Sequence, residues 1–328
     1  MKNMENLTNN SDKFNDKSFV EVMSNFKVSG MACFLLTLSI VAVVGNSLVF
    51  HTVRVTSRLH SPPFYLILSV ALADILVGVF VIPVSIVYLV FFEMSGIWVM
   101  GEAVCDVWVL ANFWFSGASI LSLCAITRDR YLAVTSPLQY LRRMRSSHTA
   151  FQIVICWLAS LVSALITIHG LKTSPRRRLC EVEGLTACYT LFNFVCLYVF
   201  PVTGILFVNS TIWSAAARHS RSIHSIEENV SHNSMDTESS TSGRSRRLKM
   251  QIKSFRTFLI MIGCYLVAWT PFSVLLLLQT FLDIPGGLLY FTVVLTYMNS
   301  ASNCLIYGIF NNDFRKALIT SIKLDHCK

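Results

Sequence analysis

Apolar residues in this chain fall in long continuous blocks separated by short polar stretches. Seven blocks run over residues 30–53, 64–92, 107–127, 148–170, 187–217, 257–282 and 284–312. A helix crossing the ~30 Å hydrocarbon core of a bilayer needs about 20 mostly apolar residues, and each block meets that length. The third starts near Glu102 and continues past Arg130. Strands of a membrane barrel are about 10 residues long with alternating polarity, a pattern these blocks do not follow. The blocks predict an all-α membrane protein, a seven-transmembrane helix bundle. The first 28 residues are polar and the first apolar block is long enough to span, so it reads as a start-transfer helix rather than a cleavable signal peptide.

The polar segments divide the chain further. Residues 1–28 form an N-terminal tail, 29–310 the transmembrane domain and 311–328 a C-terminal segment. Most loops are short, which makes consecutive helices antiparallel neighbours. The exception is about 218–248, rich in Ser, Asn and His and poor in apolar residues; it cannot bury a core and is expected to be disordered. Its basic ends suit anionic lipid, and also a docking and phosphorylation surface. Beyond the seventh block, Phe314, Leu318, Ile319 and Ile322 recur at helical spacing among basic residues. That pattern predicts a short amphipathic helix on the inner leaflet. Cys327 then stands where a palmitoyl anchor would attach, or is a free tail cysteine.

Composition agrees with this reading. The chain of 328 residues is 54% hydrophobic and only 14% charged, too little charge for a soluble enzyme. The net charge of +9 raises nucleic acid as a partner until its distribution is considered. With the N-terminus outside, 19 of the 27 Lys and Arg lie on the inner side and 8 on the outer. This asymmetry sets the orientation, and the excess positive charge reports topology, so no nucleic-acid partner is expected. Arg176, Arg177 and Arg178 are an outer exception. Sequons at Asn6 and Asn9 fall in the outer tail and fit glycosylation there.

Polar residues inside the spans are the candidate chemistry, because an ionisable group at mid-membrane is costly. Asp74 is the only acidic residue deep in a span. Asn46, Ser119, Asn299, Ser300 and Asn303 could surround it, as polar contacts between helices. One carboxylate among several oxygen ligands also suits a monovalent cation. Asp129 and Arg130 lie at the inner end of the third helix, as interfacial anchors or as a switch in which Arg130 exchanges an internal carboxylate for a partner protein. On the outer, oxidising side Cys105 can pair with Cys180 or Cys188; Cys180 is preferred because Cys188 lies closer to the fifth apolar block. No catalytic constellation, no His/Cys metal spacing and no phosphate-binding loop is present, so no enzyme and no cofactor is expected beyond a sodium ion at Asp74.

One fingerprint per helix carries a resemblance. These are Gly45-Asn46; Leu72-Ala73-Asp74; Cys105 with Asp129-Arg130-Tyr131, followed by Pro137-Leu138; Trp157; Pro201; Trp269-Thr270-Pro271-Phe272; and Asn303-Cys304-Leu305-Ile306-Tyr307. Across roughly residues 28–322 the chain resembles a rhodopsin-like (class A) G-protein-coupled receptor. The resemblance implies a plasma-membrane protein that binds a small extracellular ligand and activates a heterotrimeric G protein, with arrestin, receptor kinases and membrane lipids as further partners. It implies a Cys105–Cys180 disulfide and a sodium site of Asp74, Ser119, Asn299, Ser300 and Asn303. It implies a G-protein switch at Asp129, Arg130, Tyr131 and Tyr307, a toggle at Trp269, and a connector of Ile120, Pro201 and Tyr265 beneath it.

Within the family the scaffold resembles the biogenic-amine branch, on Gly96-Ile97-Trp98, Cys105-Asp106-Val107-Trp108, residues 118–126 and Tyr297. Amine receptors carry an Asp seven residues after the helix-three Cys, and here that position is Asn112. A buried ammonium without a carboxylate loses its main charge partner, at a cost of several kcal/mol. Asn112 with Tyr297 would instead bond a neutral or zwitterionic group, in a pocket with Phe113, Ser116, Asn193, Phe194, Trp269, Phe272 and Ser273; alternatively the two bond each other. A nucleoside or lipid ligand, or constitutive activity without a ligand, are the other receptor readings. A retinal-based light sensor is excluded, because the seventh block has no lysine. A transporter or channel would need a more polar path than the Asp74 cluster. Three departures stand out: Cys304 replaces a proline, Asn209 a tyrosine, and Gln251 an acidic residue that restrains Arg130 in many members.

Overall fold

The computed structural model describes the backbone of residues 2–95, 98, 100–136, 140, 146–172, 180, 187–211, 214 and 238–326. Side chains are described within these ranges except at 2–26, 92–95, 134, 171–172, 238–256, 258, 313 and 322–326. The sequons at Asn6 and Asn9, the Arg176–Arg178 run, Gln251 and Cys327 lie outside the described side chains.

Among the described residues the regular elements are all helical. Helix α1 spans Lys2–Val55, with its membrane-crossing part at Lys27–Val55. Helix α2 starts at Pro62–Leu76, passes through a π-helical turn at Val77–Val81 and continues as Ile82–Ser95. Helices α3 (Gly101–Thr135) and α4 (Ser146–Lys172) follow. Helix α5 opens as Ala187–Asn193, passes through a second π-helical turn at Phe194–Val199 and crosses as Ala187–Thr211. Helix α6 is Glu238–Leu278, α7 is Gly286–Phe310 and α8 is Asn312–His326. The first seven are long and apolar enough to span a membrane; α8 is not among them.

Several ends differ from the apolar blocks, most of all at α1, which begins at Lys2, inside the stretch read as an N-terminal tail, and at α6. Helix α6 begins inside the segment read as disordered, because no proline breaks the helical period between Glu238 and Pro271. It stops at Leu278 rather than 282, where Thr280 turns back and its hydroxyl donates to the Leu277 carbonyl at 2.6 Å.

The helices close a ring. Helix α1 packs on α2 and α7, α6 on α7 and α5, α4 on α5, and α3 runs through the middle against α2, α4 and α6. In lipid the apolar solvent matches the apolar side chains, so close packing and interhelical hydrogen bonds hold the bundle. Gly78 shows the closeness: a Cβ there would stand 2.8 Å from Val43 and 3.2 Å from the Cβ of Ala42. At this contact the Ser39 hydroxyl donates to the Gly78 carbonyl at 2.7 Å. The indole of Trp157 donates to Ser69 Oγ at 3.0 Å, and Ser69 shares a 2.9 Å hydrogen bond with Ser122, joining α4, α2 and α3. Outward-facing Phe200, Phe207, Val267 and Phe281 are about three-quarters exposed and form the lipid face.

At the outer end Cys105 and Cys180 form the expected disulfide, with 5.6 Å between Cα atoms. It ties Cys180 to the first turns of α3. Cys188 is a free, exposed thiol. At the inner end α8 packs against α1 and α7, burying Phe314 and Ala317, while Ile319 stays exposed.

Candidate functional site

Three polar sites lie along the bundle axis. The outermost is a cleft, partly open to solvent, lined by Tyr88, Trp108, Val109, Asn112, Cys180, Phe272, Gly286, Leu289, Tyr290, Val293 and Tyr297. A concave, mostly apolar and aromatic lining with a few polar groups is the character of a small-molecule site. Trp108 and Asn112 are four residues apart on α3, and Tyr290 and Tyr297 seven apart on α7, so each pair shares a helix face. The π-helical turn in α2 meets this wall: the Trp108 indole donates to the Val81 carbonyl, on the last residue of that turn, at 3.0 Å. Beyond the turn, Ser85 shares a 3.2 Å hydrogen bond with the Tyr290 hydroxyl. Tyr88 packs on Trp108, Tyr290 and Trp98 with ring centroids 5.6, 5.9 and 6.1 Å apart, which builds a continuous aromatic wall.

Beneath that wall, Asn112 Oδ1 and Tyr297 Oη are buried without a hydrogen-bond partner. The bond between Asn112 and Tyr297 that the sequence left open is therefore not formed. Buried polar atoms are rarely left unpaired, and each costs on the order of 1–3 kcal/mol. Their position in the wall of a cleft makes them candidate ligand contacts.

Of the nine expected pocket residues, Asn112, Phe272 and Tyr297 line the cleft. Trp269 lies behind Phe272 in an edge-on contact at 5.9 Å and stacks on Tyr265 at 5.8 Å. Phe113 packs with Cys105, Val109 and Ala164 instead. Asn193 accepts from the Thr167 hydroxyl at 2.9 Å and donates to the Tyr189 carbonyl, so it joins α4 to α5. Phe194 packs on Tyr198, Ser116 is half-buried and Ser273 is buried, all three outside the cleft lining. Tyr88, Trp108, Leu289 and Tyr290 line the cleft as well, beyond the residues the sequence pattern suggests. Only the i,i+4 and i,i+7 spacings to Asn112 and Tyr297 could have found Trp108 and Tyr290.

Deeper in the bundle, Asp74 is fully buried, and its Oδ2 accepts from Asn303 Nδ2 at 2.8 Å. Asn46 donates to the carbonyls of Ala42 and Ser300 at 2.8 and 3.1 Å, which ties α1 to α7. Asp74 Oδ1, Ser119 Oγ, Asn299 Oδ1 and Asn303 Oδ1 are all buried and lack partners. One carboxylate and three neutral oxygens without donors fit a small hard cation of single charge.

At the inner end Asp129 is fully buried and accepts from Arg130 Nε at 2.9 Å. Its other oxygen accepts from the Tyr140 hydroxyl at 3.2 Å. Burial, and then the neighbouring Asp129 carboxylate, push the Tyr140 phenol up to about 12, so it stays protonated and able to donate. Tyr131, the third residue of this motif, is half-buried. Tyr307 is buried against Phe314 with its hydroxyl unpartnered.

A seven-helix bundle long and apolar enough to span a membrane, with an aromatic cleft near one end and an arginine held at the other, has the architecture of a transmembrane receptor. The sequence pattern of the 7 transmembrane receptor (rhodopsin family) matches residues 45–307, and the chain belongs to that family. It is a multi-pass plasma-membrane G-protein-coupled receptor, not an enzyme. Among its relatives, the human 5-hydroxytryptamine receptor 1F is 30% identical, with 95% of each chain covered. The mouse 5-hydroxytryptamine receptor 1D is 27% identical over 90% of each chain. The octopamine receptor beta-2R of Chilo suppressalis is 29% identical, covering 90% of this chain and 80% of its own.

Proposed function

We propose that the receptor holds its N-terminus outside the cell and binds a small extracellular ligand in the cleft between α2, α3, α6 and α7. Asn112 and Tyr297 are its polar contacts. The observation that carries this reading is the pair of buried, unpartnered oxygens in the cleft wall. The relatives named as 5-hydroxytryptamine and octopamine receptors support an amine-receptor scaffold, while Asn112 argues against a carboxylate-held amine. Ligand contact with Phe272 would reach Trp269 directly and Tyr265 next, along α6. A ligand shifts the bundle toward the G-protein-binding form only by binding that form better. Arrestin, receptor kinases and lipids of the inner leaflet are further partners on the cytoplasmic side, where the basic residues concentrate.

The test is nucleotide exchange by purified heterotrimeric G proteins of each main class, with the full chain in lipid nanodiscs. Exchange faster than the G protein alone, with at least one class, is expected. Spontaneous rates with every class would remove the coupling assignment.

Asp74, Ser119, Asn299 and Asn303 would hold a sodium ion, which supplies a positive charge to offset the buried carboxylate. A ligand that binds the folded state raises its melting temperature by mass action. The receptor should therefore melt a few degrees higher in sodium chloride than in potassium chloride of equal strength. Asp74→Asn should abolish the difference; a sodium increment that survives the substitution would place the ion elsewhere.

A further inference from the structure

We infer that the cleft is built for an uncharged aromatic molecule carrying a secondary amide, the N-acylated form of an arylalkylamine rather than the free amine. This rests on the reading of the cleft as the ligand site and specifies its chemistry. Among the described residues, no charged side chain lines the cleft. Its polar base presents an unpartnered acceptor, Asn112 Oδ1, and an unpartnered hydroxyl, Tyr297 Oη, that can donate. A secondary amide satisfies both at once: its N–H donates to Asn112 Oδ1 and its carbonyl accepts from Tyr297. An ammonium could donate to both oxygens, but it would bring a charge that nothing in the lining offsets, and an unpaired buried charge costs several kcal/mol.

The aromatic wall supplies the other half of the fit. Trp108 lies one helical turn outward of Asn112, a rise of about 6 Å, and Tyr290 two turns outward of Tyr297, about 10 Å. An aromatic ring against Trp108, Tyr88 and Tyr290, joined by a two-carbon spacer to an amide between Asn112 and Tyr297, spans that interval. Cation–π attraction to the same rings is the competing use of the wall, worth about 2 kcal/mol for a desolvated cation, less than the charge it would have to offset.

Two matched pairs of probes decide between them: tryptamine against N-acetyltryptamine, and tyramine against N-acetyltyramine. Each is added to the full chain in nanodiscs, with the thermal midpoint and G-protein nucleotide exchange read separately. The acylated member of each pair should raise the midpoint and act at a concentration about tenfold or more below its amine, the equivalent of one hydrogen bond. Asn112→Asp should invert the order in both pairs. Asn112→Ala, which adds no charge and serves if the Asp variant does not reach the surface, should erase the preference. Tyr297→Phe should weaken the acylated probes about tenfold, the loss of one hydrogen bond. Amines equal to or stronger than their acylated partners on the unmodified chain would overturn the inference, as would no midpoint shift from any probe at millimolar concentration. A midpoint shift without exchange would leave the ligand class standing and remove the G-protein reading; exchange without any shift would do the reverse.

Discussion

Arg130→Ala should abolish G-protein activation, and Asp129→Asn should raise basal activation by about tenfold or more. The two substitutions act on opposite ends of one contact. Arg130 donates to a carboxylate that is fully buried and also receives the Tyr140 hydroxyl, so the guanidinium is held at the inner mouth. A charge-assisted bond of this kind contributes about 1.5–3 kcal/mol. Neutralising Asp129 lowers the energy needed to release Arg130, and about 1.4 kcal/mol already shifts a two-state equilibrium tenfold. Asparagine keeps an oxygen for Tyr140, so the fold around it should survive. Tyr140→Phe removes only the longer, 3.2 Å bond to the carboxylate, leaves the Arg130 contact in place, and should raise basal activity less than Asp129→Asn. Exchange rates normalised to surface expression separate these outcomes. If Asp129→Asn lowers basal exchange while Arg130→Ala leaves it intact, the switch does not reside in this pair.

The spans were legible because they depend on a local property, the length of apolar runs, and the bilayer enforces it everywhere along the chain. The disulfide was legible from topology, since Cys105 and Cys180 fall at the same end of the bundle and Cys188 sits at the start of α5. The Asn303 bond to Asp74 followed from the cost of a lone carboxylate, which needs a partner. The lining of the cleft did not follow, for a non-local reason. The Val77–Val81 turn in α2 meets bonds from helices far away in sequence, Ser39 to the Gly78 carbonyl and Trp108 to the Val81 carbonyl. A π-helical turn changes which residues beyond it face inward, and here Ser85 and Tyr88 meet α3 and α7. On α5, Asn193 looked like a ligand contact because it is polar and in a span, but Thr167 and the Tyr189 carbonyl satisfy it. A polar residue in a helix says that a partner exists; which partner depends on the neighbouring helix.

Gly45→Ala should destabilise the receptor by about 1–3 kcal/mol, the usual cost of overpacking a tight contact, with a matching loss of thermal midpoint and surface expression. The cause is the close approach of α1 to α7. A Cβ on Gly45 would overlap Cys304 Sγ, nearer than real Cβ contacts allow, and would lie 3.1 Å from Cys304 Cβ. The thiol has little room to move, because it donates to the Ala301 carbonyl at 3.2 Å and Cys304 is buried. Cys304 is also where the family usually has a proline, and α7 runs as an uninterrupted α-helix through it. With an N–H at this position, the helix can keep a bond that a proline would remove, and α7 packs on Gly45 through Cys304. The contact therefore couples two positions, and a double-mutant cycle measures it. Cys304→Gly should itself cost stability through helix propensity and lost packing, yet it should make Gly45→Ala nearly neutral. If the two losses simply add, the α1–α7 contact does not run through this pair. Cys304→Pro should instead place a kink next to Asn303 and change how the Asp74 site is held, so its effect should appear in the sodium dependence of melting as well as in stability.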